Sequence, residues 1–392
     1  MKPRIAVVGG GVLGSVLAHL LSNGADVSLY EEGQLFSRAS GMAAGIITLQ
    51  LHLEHDVKLT RATLAYYRRL QSKGYNLMRR VRGVSLFDEA SEPGCAGFMS
   101  SRLTKWGVKH RLVGPSEIAE ALPGLRVEDT LRGIETSTDY ILDTGILQAA
   151  LREELEAGGV ELREYTRVHS VKEEEGVQVH STAGIEEYDY AVLAMGPWNT
   201  VAAGLEGKVF AYHCQAHSIK HSPPNPEVSI YSYTDGIYIV PESPERIIAG
   251  DGCKPLRDPA EGLQPDMNIT LHVSEKLTHR IPGAGEAELA STWSAPCDVS
   301  MDGVPYTGRI PGSRSIYAIG GLDGYGVMRA PGLASILADH LLLGEPIPGL
   351  YSVDRLYRYP KPGAIVVNEL YNPTCGHRNT CIFKDTDSQW AP

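Results

Sequence analysis

The sequence contains no long run of basic residues and no long uninterrupted run of apolar residues. Its formal net charge is −11, whereas a nucleic-acid partner requires clustered Lys and Arg to neutralise phosphates. An apolar run of about 18 residues, the length that crosses a bilayer, is absent. The apolar segment 5–21 is interrupted by four glycines, unlike a signal peptide. We therefore expect a cytoplasmic protein with no nucleic-acid partner; peripheral attachment to the cytoplasmic face of a membrane and oligomerisation stay open.

Cysteine is scarce, with six in 392 residues. Four are scattered, which is typical of reduced thiols in a cytosolic protein; these are Cys95, Cys214, Cys253 and Cys297. The other two, Cys375 and Cys381, flank a histidine, but a zinc site needs about four ligands and no second Cys/His pair lies nearby. A disulfide, a metal site and plain thiols stay open for this pair, and we predict no resident metal.

The length exceeds the size at which one hydrophobic core stops growing, so two domains are expected. Strand patterns at 4–8 and 26–30 enclose a helix pattern at 12–22, and further helix patterns cover 56–73 and 145–157. Residues 206–252 are rich in strand patterns. Because α/β segments lie at both ends and in the middle, the pattern predicts two interleaved domains.

A glycine motif, Gly9-x-Gly11-x-x-Gly14, directly follows the first strand pattern and opens the first helix pattern. In a dinucleotide-binding unit, the three glycines permit the tight turn, the approach of a pyrophosphate and close helix–strand packing. The free N–H groups at the helix start, where Val12 and Leu13 lie, attract phosphate. The motif therefore predicts dinucleotide binding; a glycine-rich packing turn is the alternative.

Acidic residues end the second strand pattern. Glu31 stands where a carboxylate accepts hydrogen bonds from a ribose diol, and Glu32 either shares this role or is solvated. Segment 37–47 is a loop of small residues that would let the backbone lie along a bulky, extended cofactor. This favours FAD over NAD, and the residues that we expect at the cofactor are Ser40, Ala44, Gly45 and Ile46.

The combined motifs resemble the D-amino acid oxidase family of flavoproteins, which includes glycine and sarcosine oxidases and the flavin subunits of proline dehydrogenases. Matching blocks occur in the family's order over residues 4–345. They are VVGGGVLGSVLAHLLSNGADVSLYE, SGMAAGI, LDTGILQAALREELEAGGVELREYTRV, YAVLAMGPW, GIYIVPESPERIIAG, MDGVPYTG and IYAIGGLDGYGVMRAPGLASILADHLLLG. The set is far more specific than any single motif.

The resemblance implies a cofactor site along the chain. Val168 should offer its backbone to the adenine, and Ala194, Gly196 and Trp198 should lie near the pyrophosphate; core packing is the alternative for Trp198. A glycine-rich loop should wrap the isoalloxazine, with a helix starting near Pro331 whose positive end stabilises the reduced flavin. The loop residues are Gly321, Leu322, Asp323, Gly324, Tyr325, Gly326, Val327 and Met328.

The resemblance also implies a substrate site, with one departure. Tyr238 matches a tyrosine that helps to hold the substrate carboxylate; the alternative is a tyrosine facing the core. Cys297 and Gly324 occupy the positions at which glycine-oxidase-like members carry carboxylate-binding arginines. Another cation must therefore replace them if the substrate is an amino acid, and the candidates are Arg329 first, then His52 and His213.

Covalent members of the family carry His or Cys at particular positions. Met42 stands at one such His position, and Cys297 is offset from the Cys position, so we expect non-covalent FAD. The expected electron acceptor is oxygen, a quinone or a partner flavoprotein.

The expected fold is α/β: a doubly wound, Rossmann-like FAD-binding domain formed by 1–75, 140–205 and 305–345, interleaved with an antiparallel-sheet α+β substrate domain formed by 76–139 and 206–304. Residues 346–392 form a C-terminal tail outside the resemblance. The expected reaction is hydride transfer to the flavin from a small amino acid or amine, similar to proline, sarcosine or glycine. Two alternatives stay open: a flavin-dependent 2-hydroxyacid dehydrogenase using His52 or His213 as base, and an FAD-holding subunit without substrate chemistry.

Overall fold

The structure is a computed structural model, and it describes residues 2–88, 95–250 and 254–358. Cys253, Cys375 and Cys381 lie outside the described residues. Within these three ranges no helix is both long enough and apolar enough to cross a membrane.

The three helices predicted from the sequence begin and end close to their predicted bounds. The helix predicted at 12–22 spans Val12–Leu21. The helix predicted at 56–73 spans Glu54–Ser72, and the one predicted at 145–157 spans Thr144–Ala157, where the Asp143 side chain accepts a hydrogen bond from the N–H of Ile146. In chain order the α-helices of the described residues are α1 Val12–Leu21, α2 Glu54–Ser72, α3 Cys95–Lys105, α4 Pro115–Ala121, α5 Thr144–Ala157, α6 Asn199–Ala202, α7 Met267–Arg280 and α8 Gly326–Leu343.

The described residues form three sheets. Their strands are β1 Arg4–Val8, β2 Asp26–Tyr30, β3 Ile46–Ile47, β4 Met78–Asp88, β5 Arg111–Val113, β6 Thr130–Leu142, β7 Glu161–Arg163, β8 Val168–Glu173, β9 Val177–Ser181, β10 Gly184–Tyr188, β11 Tyr190–Leu193, β12 Val209–Lys220, β13 Val228–Ser232, β14 Ile237–Ser243, β15 Arg246–Gly250, β16 Lys254–Leu256, β17 Glu288–Ser300, β18 Tyr306–Arg309 and β19 Ile316–Gly320.

The first sheet has the order β18-β19-β11-β1-β2-β7 and is parallel except for β18. Its central strand β1 is buried on both faces because successive side chains alternate. Ile5 and Val7 pack with the helices α1, α5 and α8, whereas Ala6 and Val8 pack with the second sheet, the antiparallel β8–β9–β10. The predicted strand–helix–strand unit is therefore confirmed, and the glycine motif lies at the carboxyl end of β1.

The third sheet is the large one, with the order β16-β12-β15-β14-β13-β4-β6-β3; β17 also pairs with β12, and β5 with β6. It is antiparallel except for the parallel pair β13 and β4. Helix α7 packs on one face through Val273 and Leu277, which join a cluster of buried aliphatic side chains that includes Ile230 and Ile239. The α/β architecture with a mostly antiparallel second sheet agrees with the sequence-based expectation; the domain boundaries remain a prediction.

Helix α8 begins at Gly326, so the expectation of a start near Pro331 is wrong. Pro331 lies inside the helix, where it has no N–H to donate to the carbonyl of Val327. The hydroxyl of Tyr67 on α2 donates to that carbonyl at 2.8 Å and replaces the missing bond. Tertiary packing therefore lets the helix start more than a turn earlier than the proline alone indicates.

The cysteines differ from the expectation at one position. Cys95 is disulfide-bonded, so the expectation of a free thiol is wrong there. Cys214 and Cys297 are free thiols, as expected. Spacing along a sequence does not reveal which thiols the fold brings together, which is why the sequence missed this bond.

Candidate active site

A cavity of about 620 Å³ runs along the carboxyl edge of the six-stranded sheet. Residues of the glycine turn, of β8 and of the segment after β11 line it. Most of the residues predicted to bind the cofactor line it: Gly9, Gly11, Val12, Leu13, Glu31, Glu32, Ser40, Val168, Ala194, Gly196, Trp198, Leu322, Gly324, Gly326 and Val327. A cavity lined by the glycine turn, Glu31 and Val168 suits a dinucleotide.

The three motif glycines have different surroundings. A Cβ on Gly14 would lie 1.9 Å from the carbonyl oxygen of Gly9, and a Cβ on Gly9 would lie 2.4 Å from that of Ala194. Both glycines are therefore required by close packing, and Gly14 lines neither cavity. A Cβ on Gly11 would meet only the Ser40 hydroxyl, at 3.0 Å. Gly11 thus keeps open the space that a pyrophosphate would take at the start of α1.

The start of α1 and the end of β2 place polar groups beside the first cavity, where a cofactor could use them. The N–H of Val12 donates to the Ser40 hydroxyl at 2.9 Å, and no side chain of the N-cap residue blocks the positive end of the helix. The Glu31 carboxylate accepts from the N–H of Gly10 at 2.7 Å and of Gly33 at 2.8 Å, so backbone donors fix its position. Glu32 is exposed at the cavity wall. These observations fit FAD.

A second cavity, of about 220 Å³, adjoins the first. The residues that line both are Ala39, Ala43, Cys297, Gly324 and Val327. Its walls come from β12, β13, β14 and β17 of the large sheet and from the first turns of α2 and α8. Cys297 and Gly324 occupy the positions at which the resemblance implied arginines in related proteins. Both residues stand where the cavities meet.

Several residues predicted at the cofactor line only this second cavity: Ala44, Gly45, Ile46, Asp323, Tyr325 and Met328. Gly321 lines neither cavity, and its N–H donates to the Asp298 carboxylate at 2.5 Å. Residues 321–328 therefore contribute to the lining of both cavities.

Arg329 lines the second cavity, but its charge is already matched. Its Nη2 lies 2.9 Å from Oδ2 of Asp56 at the start of α2, and each side chain is 3% exposed. The guanidinium also lies over the Tyr325 ring at 4.3 Å. Asp56 could not be singled out from the sequence, because an acidic residue in the first turn of a helix is common without any functional role.

The two candidate histidines are separated by the fold. His52 lines the second cavity, and its Nε2 lies 2.9 Å from the hydroxyl of Tyr233. Burial, aided by the charge of Arg102, lowers the pKa of His52 to about 4, so it is neutral at pH 7 and supplies no cation. His213 lines neither cavity; its Nε2 contacts the Gln215 side chain at 2.9 Å on β12. Its neighbours Tyr212 and Cys214 line the second cavity, as does Gln215 further along the strand.

Tyr238 lies in the cavity wall beside a cross-strand partner, Tyr231. The Tyr238 ring covers Gly250 on β15, where a Cβ would lie 2.1 Å from the tyrosine oxygen. The Tyr231 hydroxyl donates to buried Asp139 at 3.0 Å. Sequence reasoning missed most of this aromatic wall, since strand tyrosines look alike in sequence; the missed members are Tyr212, Tyr231, Tyr233 and Trp293.

The family model for FAD-dependent oxidoreductases of the DAO type matches residues 4–340. The chain belongs to the DAO family of FAD-dependent oxidoreductases. It is 27% identical over 358 residues to a glycine oxidase of Bacillus licheniformis, covering 87% of this chain and 93% of that protein. It is 24% identical over 362 residues to a 4-methylaminobutanoate oxidase of Paenarthrobacter nicotinovorans, covering 88% of this chain and 44% of that protein.

Solved structures show the same fold. An L-proline dehydrogenase from P. horikoshii superposes with a TM-score of 0.82 at 23% identity, covering 91% of this chain and 98% of that one. A glycine oxidase from Geobacillus kaustophilus gives 0.78 at 23% identity, covering 88% and 96%. This DAO-family chain is therefore an FAD-dependent enzyme, as its motifs predicted.

Proposed function

We propose that this enzyme oxidises a small primary or secondary amino acid or amine, similar to proline, sarcosine or glycine. The observation that carries the proposal is the small cavity that opens directly onto the cofactor cavity at Gly324, Cys297 and Val327. Bound FAD would accept a hydride from the carbon that bears the amine, leaving an imine that water hydrolyses. The protein's part is to orient the substrate and to exclude water.

The cavity wall suits a small substrate with an apolar part. Tyrosine and tryptophan rings form large, rigid contact surfaces with polar edges. At about 220 Å³, the space is large enough for a small amino acid with a pyrrolidine ring or an N-methyl group. Support for L-proline or sarcosine ahead of a D-amino acid comes from segment 40–70, which resembles the corresponding part of proline dehydrogenase and sarcosine oxidase flavin subunits.

The substrate carboxylate is assigned to Tyr238 and Arg329. Both line the cavity, and a buried carboxylate without a partner is costly. Because Asp56 already balances the charge of Arg329, the pair offers directed N–H donors rather than a net positive charge. Tyr238 then contributes a neutral hydroxyl.

The 2-hydroxyacid alternative requires a base for the hydroxyl proton. With its pKa lowered to about 4, His52 is a weak base, and His213 lies outside the cavity. Neither histidine supports that reading. The electron acceptor is proposed to be oxygen, a quinone or a partner flavoprotein, and non-covalent attachment of FAD, oligomerisation and peripheral membrane attachment are likewise proposals.

The test is anaerobic bleaching of the enzyme-bound flavin. L-proline, sarcosine and glycine should each be tried beside D-proline, D-alanine and lactate, with the flavin absorbance recorded by stopped flow. Bleaching by one of the first three supports the proposal. Bleaching by lactate alone, or by none of the compounds, would overturn it. Reoxidation by air, by a quinone or by an artificial dye then distinguishes an oxidase from a dehydrogenase.

A further inference from the structure

We propose that Asp323 is the catalytic base that takes a proton from the ammonium group of the bound substrate and so produces the neutral amine. This inference rests on the proposed function, because it concerns an amine substrate in the same cavity. An amine that enters as an ammonium ion has no free lone pair, and its lone pair is what assists departure of the hydride from the neighbouring carbon.

The position of Asp323 carries the argument. Asp323 lines the substrate cavity and directly precedes Gly324, which lines both cavities. The Tyr212 hydroxyl donates to Oδ1 of Asp323 at 3.1 Å. The same hydroxyl lies 2.9 Å from the point at which a Cβ of Gly324 would stand. A hydrogen bond from Tyr212 thus holds the carboxylate next to the place where the two cavities meet. The C–N bond of a reacting substrate must lie there.

The backbone around Asp323 is held in an unusual shape. Asp323 has a φ of +51°, a left-handed conformation that is uncommon outside glycine, and its N–H donates to the carbonyl of Asp298 at 2.8 Å. The side chain is nevertheless buried. A buried carboxylate in a strained loop requires compensation elsewhere in the structure, and such positions cluster at active sites.

The charges in the cavity fit an incoming cation. The described residues that line it include two carboxylates, Asp56 and Asp323, and one guanidinium, Arg329. Asp56 pairs with Arg329 at 2.9 Å, so these three groups together carry one net negative charge when Asp323 is ionised. An ammonium group beside Asp323 and a carboxylate beside Arg329 and Tyr238 would place a zwitterion in one orientation.

The surroundings also make Asp323 a better proton acceptor than an ordinary aspartate. Burial raises its pKa to about 6, against the opposing effects of Arg329 and the Tyr212 hydrogen bond. A carboxylate with that pKa is ionised at neutral pH and has a stronger affinity for protons than usual. The titratable and charged groups that face it are Asp56, Tyr212, Cys297, Asp298, Tyr325 and Arg329.

The step is a single proton transfer. One N–H bond of the ammonium breaks and one O–H bond forms on Asp323, so the amine becomes neutral and the carboxylate becomes a carboxylic acid. No electron is exchanged in this step. The proton leaves to solvent after the product departs, which restores the carboxylate.

The experiment compares the pH dependence of flavin reduction in the wild type and in Asp323→Asn. Asn tolerates the left-handed conformation, so the loop should be retained. Amines have a pKa of about 10, so little free amine exists at pH 7. The variant should therefore reduce its flavin about 100-fold more slowly at pH 7, and the deficit should shrink to about 5-fold or less near pH 10, where free amine is abundant.

Two results would overturn the proposal. A rate equal to the wild type at pH 7 shows that no base is needed, and a deficit that stays constant with pH shows that Asp323 only positions groups. Asp139→Asn is the matched control, because Asp139 is also buried with its pKa raised to about 6 but lies behind Tyr231. The rate of flavin reduction in Asp139→Asn should depend on pH as it does in the wild type. If Asp139→Asn, and not Asp323→Asn, shows the deficit at pH 7, the assignment of Asp323 as the base is wrong.

A binding measurement gives a readout without turnover. 2-Aminoisobutyrate carries an ammonium but no hydrogen on the α-carbon, and pivalate has nearly the same shape without the ammonium. Perturbation of the flavin spectrum should show that the wild type prefers 2-aminoisobutyrate by about 10-fold or more, and that Asp323→Asn loses this preference. Equal preference in both proteins would contradict the proposal. If no amine bleaches the wild-type flavin, the proposed function itself fails, which is a separate outcome.

Discussion

Arg329 and Asp56 form a buried ion pair that joins the first turn of α8 to the first turn of α2, with Nη2 and Oδ2 2.9 Å apart. A cation at a helix start is opposed by the helix dipole, whereas a carboxylate there is favoured. The pair explains why an arginine is tolerated at this position. It also means that Arg329 has a structural role whether or not it binds substrate.

Arg329→Met should destabilise the fold by about 3–5 kcal/mol, because Asp56 is left as a buried, unpaired charge. The double variant Asp56→Leu/Arg329→Met should recover most of that loss in a chemical unfolding experiment. If Arg329 holds the substrate carboxylate, KM for the amino acid should stay high in the double variant while FAD affinity is little changed. Recovery of a normal KM would show that the arginine serves only the fold; loss of FAD with an unchanged KM would assign it to the cofactor.

Gly11→Val should abolish FAD binding while the apoprotein stays folded. The Cβ of Gly11 would meet only Ser40, but the side chain would occupy the space that a pyrophosphate needs. Gly14→Ala is the contrasting variant, since its Cβ would lie 1.9 Å from the oxygen of Gly9, and it should lose about 1–3 kcal/mol of stability or more. Circular dichroism reports whether each variant is folded, and flavin absorbance reports whether it binds FAD. A yellow Gly11→Val protein would show that the turn is only structural.

Tyr67→Phe should destabilise the protein by about 1–3 kcal/mol, because the carbonyl of Val327 loses the hydrogen bond that replaces the absent N–H of Pro331. In a Pro331→Ala background the helix regains that N–H, so the same substitution should cost less than half as much. Urea unfolding of the wild type, the two single variants and the double variant measures how far the cost of Tyr67→Phe depends on Pro331. Equal costs in both backgrounds would mean that the hydroxyl does not compensate for the proline.

Protonation of His52 should weaken the fold in acid. Burial lowers its pKa from 6.5 to about 4 in the folded protein. Between these values the unfolded chain binds the proton first, so stability contributed by neutral His52 is present above pH 6.5 and is lost as the pH falls towards 4. The loss is on the order of 3 kcal/mol at most. The stability difference between wild type and His52→Gln should therefore narrow by that amount from pH 7 to pH 4; a difference that is independent of pH would refute the assignment.

Much of the lining of the cavity proposed for the cofactor could be predicted from sequence because its signals are local. Gly9, Gly11 and Glu31 line this cavity and fall within one strand–helix–strand unit, so their spacing along the sequence indicates that they lie together. The same holds for the strands and helices around them, since their apolar periodicity reflects the burial that each element needs.

The lining of the second cavity, which we propose for the substrate, was decided by the tertiary structure. Asp56, Tyr212 and Asp323 belong to elements that are distant in sequence, and no local pattern records that they share a cavity. Sequence reasoning gave Arg329 and His52 a similar role as cations; the fold pairs the first with Asp56 and keeps the second neutral by burial. Sequence periodicity determines which face of an element is buried, but charge balance and pKa depend on the partners that packing brings within a few ångströms, and those partners exist only in the folded protein.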